Sequence, residues 1–555
     1  MTQHRQKPTP GLPDAAQLRW AALFAAAVMA LTCLPYLYGL LIRPPGHYYS
    51  GLLTNPDEHN VYLAYMRQAR DGALFLFDPF TSEPQAGRVI NLFFLALGCL
   101  SRTFHLPLPL AYHLARLASG WLLLMAVYCL GAQVLASLFA RRLALLLAAF
   151  ASGLGWLFHA GPGQPHPIDY GPGLVMPEAV TSLSLLLNPL FTFSMFLMIV
   201  AIGLGVHALS AGSPRSALIA GLSAFLLGNI HTYDLAPVAL VLAGYLLLLL
   251  LSRALTIRAI LLAALIAALA APSLVYQLWL MQSGELTLAV KAVETPVLSP
   301  APAFLALGLG IPLALALGGL AYAATPHARP TARALALWLV LGLALIYAPV
   351  PFQRKLAEGI HIPVILLAAL ALERLIPTAI ARWRLPAAAL LLALTLPSNI
   401  LFAARAVRDL RTNNQAYLGN LMPPLYLRPD QYGSLRWLDD HASRSDVLLC
   451  SSFLGSCAPS LADARVYLGH WAETLHFSRK VSDLSHFLRA DTPDSARRAL
   501  CRREGITYVL RDRTIYDEVY CLAPDGSTQP LFEPDDSHWL APVYEKERVS
   551  LYRVK

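Results

Sequence analysis

The run ALVLAGYLLLLLL, residues 239–251, contains no charged residue and stops only at Ser252 and Arg253. AALLLALTLPSNILFAA, residues 388–404, has the same character, and similar stretches recur through the first 400 residues. About 20 apolar residues in a helix cross a ~30 Å hydrocarbon layer. The 555-residue chain is 56% hydrophobic and 14% charged, whereas soluble domains are ~25% charged. A soluble core has no place for so many all-apolar helices. The reading is a polytopic all-α membrane domain of about 11 transmembrane helices.

The approximate spans are 20–42, 107–139, 143–159, 190–211, 216–230, 234–252, 258–281, 303–324, 333–350, 361–377 and 386–403. The first is too long for a signal peptide's apolar region and lacks a small-residue cleavage site, so it reads as a retained span. Segment 89–104 reads as a juxtamembrane or re-entrant helix. The net charge of +9 does not imply nucleic acid, because Lys and Arg are scattered between apolar runs. Such basic residues mark cytoplasmic loops. The N-terminus, Arg141–Arg142, Arg215, Arg253 with Arg258, Arg329 with Arg333, and Arg382 with Arg384 fit one threading. It leaves 43–106, 160–189, 282–302, 351–360 and everything after 404 on the outer face.

The expected organisation is a cytoplasmic tail (1–19), a transmembrane domain (20–403) and an extracytoplasmic domain (404–555). The last region is charged and alternates strand-like pieces, SDVLLCSS (445–452), ITYVLRD (506–512) and VSLYRV (549–554), with helical PDSARRALCRREG (493–505). It reads as a small α/β domain. Its four cysteines, Cys450, Cys457, Cys501 and Cys521, permit disulfides in an outside compartment. None of the seven cysteines has metal-site spacing.

The most informative polar stretch is TNPDEHNVYLAYMRQARDG, residues 54–72, in the first outer loop. As plain structure it is a helix start. Asn55 is a favoured N-cap, Pro56 suits the first helical position, and Glu58 completes a capping box. Asp57 and Glu58 lie in the first turn, where negative charge suits the helix dipole. Gly72 ends an amphipathic helix expected to lie on the membrane surface.

An outer loop after the first span, opening with Asp-Glu and continuing as a Tyr-containing helix, resembles the glycosyltransferase C (GT-C) superfamily. The likeness is to its bacterial aminoarabinose transferases and protein O-mannosyltransferases, and DEHNVYLAYMRQARDG carries it. Many spans, outer loops and a C-terminal outside domain fit the same plan. The resemblance implies an enzyme that takes a sugar from a polyprenyl-phosphate carrier with inversion. It implies Asp57 as general base and Glu58 as a supporting or cofactor-binding group. It names no acceptor; lipid, glycan and protein stay open.

VPFQRKLAEGIHIP, 350–363, places Arg354 and Lys355 outside, against the positive-inside trend. A misplaced basic pair is a candidate donor-phosphate binder, with snorkelling to headgroups as the plain alternative. Gln353, Glu358 and His361 lie beside it. In GNIHTYDLAP, 228–237, His231, Tyr233 and Asp234 sit at bilayer depth, where ionisable groups are often functional; otherwise Asp234 caps the next helix. Tyr62, Arg67, Glu178, His231, Tyr233, Asp234 and His361 complete the candidate substrate-binding set. For Glu178 the alternative is a helix start, and for Arg67 pairing with Asp71 or Glu83. His470, Trp471 and Glu473 in RVYLGHWAETLHFSRK, 465–480, face the acceptor or pack within their domain. HPIDYGPG, 166–173, offers a weak His/Asp pair.

No metal site is assigned, and a divalent metal ion is left open as cofactor. The chain has no GxxxxGK[ST], GxSxG or HExxH motif, which argues against an ATP-driven transporter and common hydrolases. The alternatives are a flippase or transporter of lipid-linked sugars, a surface polysaccharide polymerase or ligase, and a degenerate member in which Asp57 only caps. A transporter should carry polar residues at mid-span, whereas these crowd the loops. The expected location is the bacterial cytoplasmic membrane, the Ala/Leu/Arg-rich composition hinting at a GC-rich genome.

Overall fold

The computed structural model describes residues 11–158, 176–283, 294–376, 378–413, 422–522, 529–534 and 537–555. The chain forms two compact units. One comprises Met1–Leu34, His113–Trp279 and Pro296–Arg405, the other Pro35–Tyr112, Leu280–Thr295 and Ala406–Lys555. The first outer loop therefore groups with the C-terminal region rather than with the spans.

Among the described residues eight helices are long and apolar enough to cross a membrane. They are Ala15–Leu41, Leu108–Val134, Pro189–Ala211, Thr232–Leu251, Ile257–Gln282, Pro302–Ala323, Gln353–Leu375 and Ile380–Thr412. The chain reads as an integral membrane protein on that ground. Pro214–Ile230 and Pro330–Leu345 are apolar but shorter, reaching only ~25 Å at 1.5 Å per residue. The expected span 143–159 holds a helix over Leu138–Phe150 that includes Arg141 and Arg142. Eight of the eleven expected runs thus have full-length helices. Leu92–Thr103 extends ~18 Å, too short to cross, in keeping with a re-entrant or juxtamembrane reading. The N-terminal helix starts at Ala15, earlier than expected, because Asp14 caps it by accepting from Gln17 N–H at 2.8 Å.

The first unit is organised around Gln353–Leu375. Its most apolar window is 94% buried, against 22% for Ile257–Gln282. Gly319 lets Pro302–Ala323 approach it, since a Cβ there would lie 2.8 Å from that of Leu367. Arg116, unremarked in the sequence reading, is buried within Leu108–Val134. It donates to Thr32 Oγ1 at 2.6 Å and to the Leu185 carbonyl at 3.1 Å.

In the second unit β1 (Tyr48–Tyr49) pairs antiparallel with β2 (Tyr426–Leu427). A five-stranded sheet comprises β3 (Val447–Leu449), β4 (Arg465–Val466), β5 (Tyr508–Asp512), β6 (Leu540–Lys546) and β7 (Val549–Val554), in the order β4-β3-β5-β7-β6. The β4-β3-β5 part is parallel and β5-β7-β6 antiparallel. The α/β expectation for the C-terminal region holds. All seven cysteines are unbridged, so the permitted disulfides do not form.

The helix Pro56–Arg70 is not a surface helix. Most of its residues are buried, and it packs on Leu92–Thr103 and Ser452–Leu461. Gly98 makes the first contact close: a Cβ there would fall 2.6 Å from the Met66 carbonyl oxygen. The amphipathic face was real, but protein covers the polar side as well. Further along the loop, Thr474 Oγ1 donates to the Phe80 carbonyl at 2.8 Å and Val466 N–H to that of Pro79 at 2.9 Å. Fully buried Lys480 donates to Glu83 at 2.8 Å, Thr81 at 3.1 Å and Ser82 at 3.2 Å. Burial pushes the Glu83 carboxyl up, but the Lys480 hydrogen bond and charge, together with the Thr81 hydrogen bond, outweigh it and hold the group below its ordinary value. Burial likewise lowers the Lys480 amine against the opposing pull of Glu83.

Removing one partner leaves the other charge buried. Glu83→Gln is therefore expected to cost about 2–3 kcal/mol. Glu83→Gln with Lys480→Met should cost clearly less than the two single changes added together. Thermal unfolding in detergent measures both; additive costs would show that the two groups do not interact.

Candidate functional site

Asp57 begins the site in the second unit. Pro56 occupies the first helical position as expected, but the capping box does not form. Asn55 is left-handed (φ 48°, ψ 53°) and its side chain makes no cap hydrogen bond. Its carbonyl oxygen lies 3.0 Å from His59 Nδ1 instead. The helix N-terminus is served by Asp57, whose Oδ1 accepts from Glu58 N–H at 3.0 Å. This bond leaves Asp57 Oδ2 free to face other groups.

That oxygen faces His470. His470 Nε2 lies 3.9 Å from Asp57 Oδ2 and 3.9 Å from Glu58 Oε2. Ala472 N–H donates to His470 Nδ1 at 3.1 Å. In the neutral ring this places the proton on Nε2, the nitrogen turned to the carboxylates. Asp57 and His470 are buried, whereas the Glu58 side chain is 40% exposed. Exposed Trp471 lies beside His470, with ring centroids 5.8 Å apart. Burial pushes the Asp57 carboxyl above its ordinary value; His470 pulls it back and Glu58 adds to the rise. Burial, and then the nearby Asp57 charge, drive the Cys457 thiol to about 12. Cys457 is therefore a neutral hydrophobe and not a nucleophile.

Two other loop candidates, Arg67 and Tyr62, are buried. Arg67 is buried and ion-paired with Asp439 and Asp71, so one of the two expected partners is present and Glu83 is not. Tyr62 is buried against Phe94, with ring centroids 5.3 Å apart.

The remaining candidates lie in the first unit. Arg354 Nε sits 2.8 Å from Glu178 Oε1, and its side chain remains 40% exposed. Glu178 is buried in the short helix Pro177–Ala179. The Lys355 amine stands 5.0 Å from the Tyr233 ring centroid, and Tyr233 also meets Phe352 at 4.8 Å. His361 is buried, with Nδ1 3.0 Å from Thr181 Oγ1. That places it in the packing of its helix. Asp234 does not cap Leu235–Leu251. His231 Nδ1 lies 2.9 Å from Asp234 Oδ2 and 3.3 Å from Glu358 Oε2, and the three residues form a compact group able to hold a metal ion. Residues 166–173, with their His/Asp pair, lie outside the described residues.

Glu358 was noticed in the sequence only as a neighbour of the basic pair, and His470 as facing the acceptor or packing within its domain, with no link to Asp57. His470 lies 412 positions after Glu58, as 470 − 58 = 412, and no local spacing links them. Glu358 had a usable signal: an acid in the loop leading into an almost wholly apolar helix.

Comparison with models of known families finds no match, and comparison with curated proteins finds no similar sequence. Solved structures do resemble the chain. One is the Archaeoglobus fulgidus oligosaccharyltransferase tethered with an acceptor peptide, at TM-score 0.54 and 14% identity, covering 91% of this chain and 71% of that one. Another is ArnT from Cupriavidus metallidurans bound to undecaprenyl phosphate, at TM-score 0.51 and 13% identity, covering 96% and 98%. A third is the mycobacterial arabinofuranosyltransferase AftD, at 0.50 and 16%, covering 98% of this chain but 40% of that one. All three are GT-C glycosyltransferases. At these identities the likeness is one of fold, and the chain has the GT-C fold.

A folded-state pKa raised above the unfolded value means that ionised Asp57 costs stability. This cost is present near neutral pH and is relieved as pH falls through the folded pKa. Asp57→Asn keeps an acceptor for Glu58 N–H and removes the charge. It should melt above the wild type at neutral pH, with the gap closing on acidification; a lower melting temperature at neutral pH would refute the buried-charge account.

Proposed function

We propose that the protein is an inverting membrane glycosyltransferase that moves a sugar from a polyprenyl-phosphate donor to an acceptor on the outer face. The observation that carries this reading is Asp57: a buried carboxylate, bonded to its helix through one oxygen and turned to His470 with the other. A raised proton affinity makes it a better base than a solvated carboxylate. The GT-C fold supports the same reaction class.

In the proposed step Asp57 takes the proton from the acceptor as its heteroatom attacks the anomeric carbon. The bond from that carbon to the carrier phosphate breaks, and the phosphate leaves with the bonding pair. Attack opposite the leaving group inverts the centre. His470 Nε2–H and the Glu58 carboxylate orient Asp57, and Trp471 offers an exposed ring on which a sugar can stack. Arg354 and Lys355, in the other unit, carry the separate proposal that they bind a donor phosphate. Arg354 keeps exposed surface for it despite its bond to Glu178.

Transfer from a synthetic polyprenyl-phosphate sugar by purified protein tests the reading. Asp57→Asn should lower kcat by at least ~100-fold, the lower end of what a general base supplies. Normal turnover by that variant would remove the base assignment. Wild-type activity should fall as pH drops through the Asp57 pKa, at higher pH than an ordinary carboxylate would give. Arg354→Ala should raise the donor KM about tenfold, the loss of ~1.4 kcal/mol; an unchanged KM would detach Arg354 from the phosphate.

A further inference from the structure

We infer that His231, Asp234 and Glu358 form a binding site for a divalent transition-metal ion in the first unit. The site stands on their geometry and is independent of the transfer reaction proposed above.

The three ligand atoms lie within 4.8 Å of one another. His231 Nδ1 is 2.9 Å from Asp234 Oδ2 and 3.3 Å from Glu358 Oε2. Metal–ligand bonds of about 2.1 Å place neighbouring donors about 3.0 Å apart in an octahedron and about 3.4 Å apart in a tetrahedron. Both separations are those of donors on one ion. Two oxygens and one imidazole nitrogen suit Zn²⁺ or Mn²⁺ better than Mg²⁺ or Ca²⁺, which prefer all-oxygen sites.

A second observation comes from hydrogen bonding. Glu358 is 1% exposed, yet neither carboxylate oxygen has a hydrogen-bond partner; Asp234, also 1% exposed, leaves Oδ1 without one. A buried acceptor without a partner costs about 1–3 kcal/mol, and more when charged. Two such acids side by side call for a counter-charge. Arg354 is already on Glu178 and the Lys355 amine stands over the Tyr233 ring at 5.0 Å, and a single imidazole, His231, meets both acids at 2.9 and 3.3 Å. An ion bound between them satisfies the empty lone pairs and the charge together.

The ligands are also held in place. Asp234 N–H donates to the His231 carbonyl at 3.2 Å, and Thr232 Oγ1 to that of Gly228 at 2.9 Å, which fixes the turn. The His231 ring is flanked by Phe191 at 5.6 Å and Tyr233 at 5.8 Å. Gly359 N–H bonds the Glu178 carbonyl at 3.3 Å and anchors the backbone next to Glu358. Aromatic flanks and a fixed backbone are the supporting shell a metal ligand needs.

The test uses full-length protein purified in detergent and stripped with chelator. It is titrated calorimetrically with Zn²⁺ and with Mn²⁺, and its metal content is measured by mass spectrometry after gel filtration. The expected result is one equivalent of one of these ions and a higher Tm when it is bound. Glu358→Gln and His231→Ala should each weaken binding at least tenfold, while Asp491→Asn, an exposed acid elsewhere, should not. If a variant fails to fold, the wild-type titration still decides. No stoichiometric binding by the stripped wild type would overturn the site in favour of two acids sharing a proton. Unchanged binding by folded Glu358→Gln would overturn it too.

Discussion

Hydrocarbon offers no hydrogen bonds, so every polar group that leaves water must find a partner inside the chain. Helices solve this for the backbone and leave side chains as the remaining difficulty. The first unit meets it in two ways. Arg116 is buried among acceptors supplied by Thr32 and Leu185. Glu373 accepts from the backbone N–H groups of Ala136 and Ser137 at 3.1 and 2.6 Å. Both are ionisable groups made affordable by fixed partners. The cluster of His231, Asp234 and Glu358 differs because its acceptors outnumber its donors. The second unit shows the same contrast: Lys480 has three acceptors, whereas His470 Nε2 stands 3.9 Å from two carboxylates and bonds to neither.

Much of the fold was legible because hydropathy reports one property that dominates in a bilayer. Eight expected runs became long apolar helices, and the run expected over 361–377 overlaps the most buried of them, Gln353–Leu375, which also takes in residues expected in an outer loop. Where charge and apolar character compete, the pattern weakens. Arg141 and Arg142 fall inside Leu138–Phe150, and a run expected over 143–159 shortened and shifted. The C-terminal strands were legible as short strand-like pieces set between helical ones, around Tyr508–Asp512 and Val549–Val554. Their order was not, since β4, β3 and β5 are joined through long crossovers that no local pattern encodes.

The helix Pro56–Arg70 marks the boundary of sequence reasoning most clearly. Pro56, Asp57 and Gly72 gave its position correctly, because local rules fix those places. The same rules assigned Asn55 a capping bond that tertiary structure overrode. Asn55 is held at φ 48°, and its carbonyl is engaged by His59. The surface placement failed for a related reason. Polar residues on a helix signal water only when nothing else bonds them; Arg67 meets Asp439, and Asn60 accepts from Ser460 Oγ at 3.2 Å. A side chain's partner, four hundred residues away, is invisible to periodicity.

This displacement of the cap bears on what Asp57 does. Had Asn55 capped the helix, Asp57 would be one more acid in a first turn, stabilised by the dipole and open to solvent. With Asn55 turned away, Asp57 takes over one N–H and is drawn into protein, where His470 first, and then the Glu58 N–H and His59, oppose the cost of its charge. A purely structural residue would be better served by Asn, which makes the same bond without the charge. Retaining a carboxylate at a site that penalises it is the pattern of a group held for proton transfer. His470 then has a definite part. With Nδ1 occupied by Ala472 N–H, the neutral ring can offer only a donor towards the acids, which favours the ionised form of the base proposed above.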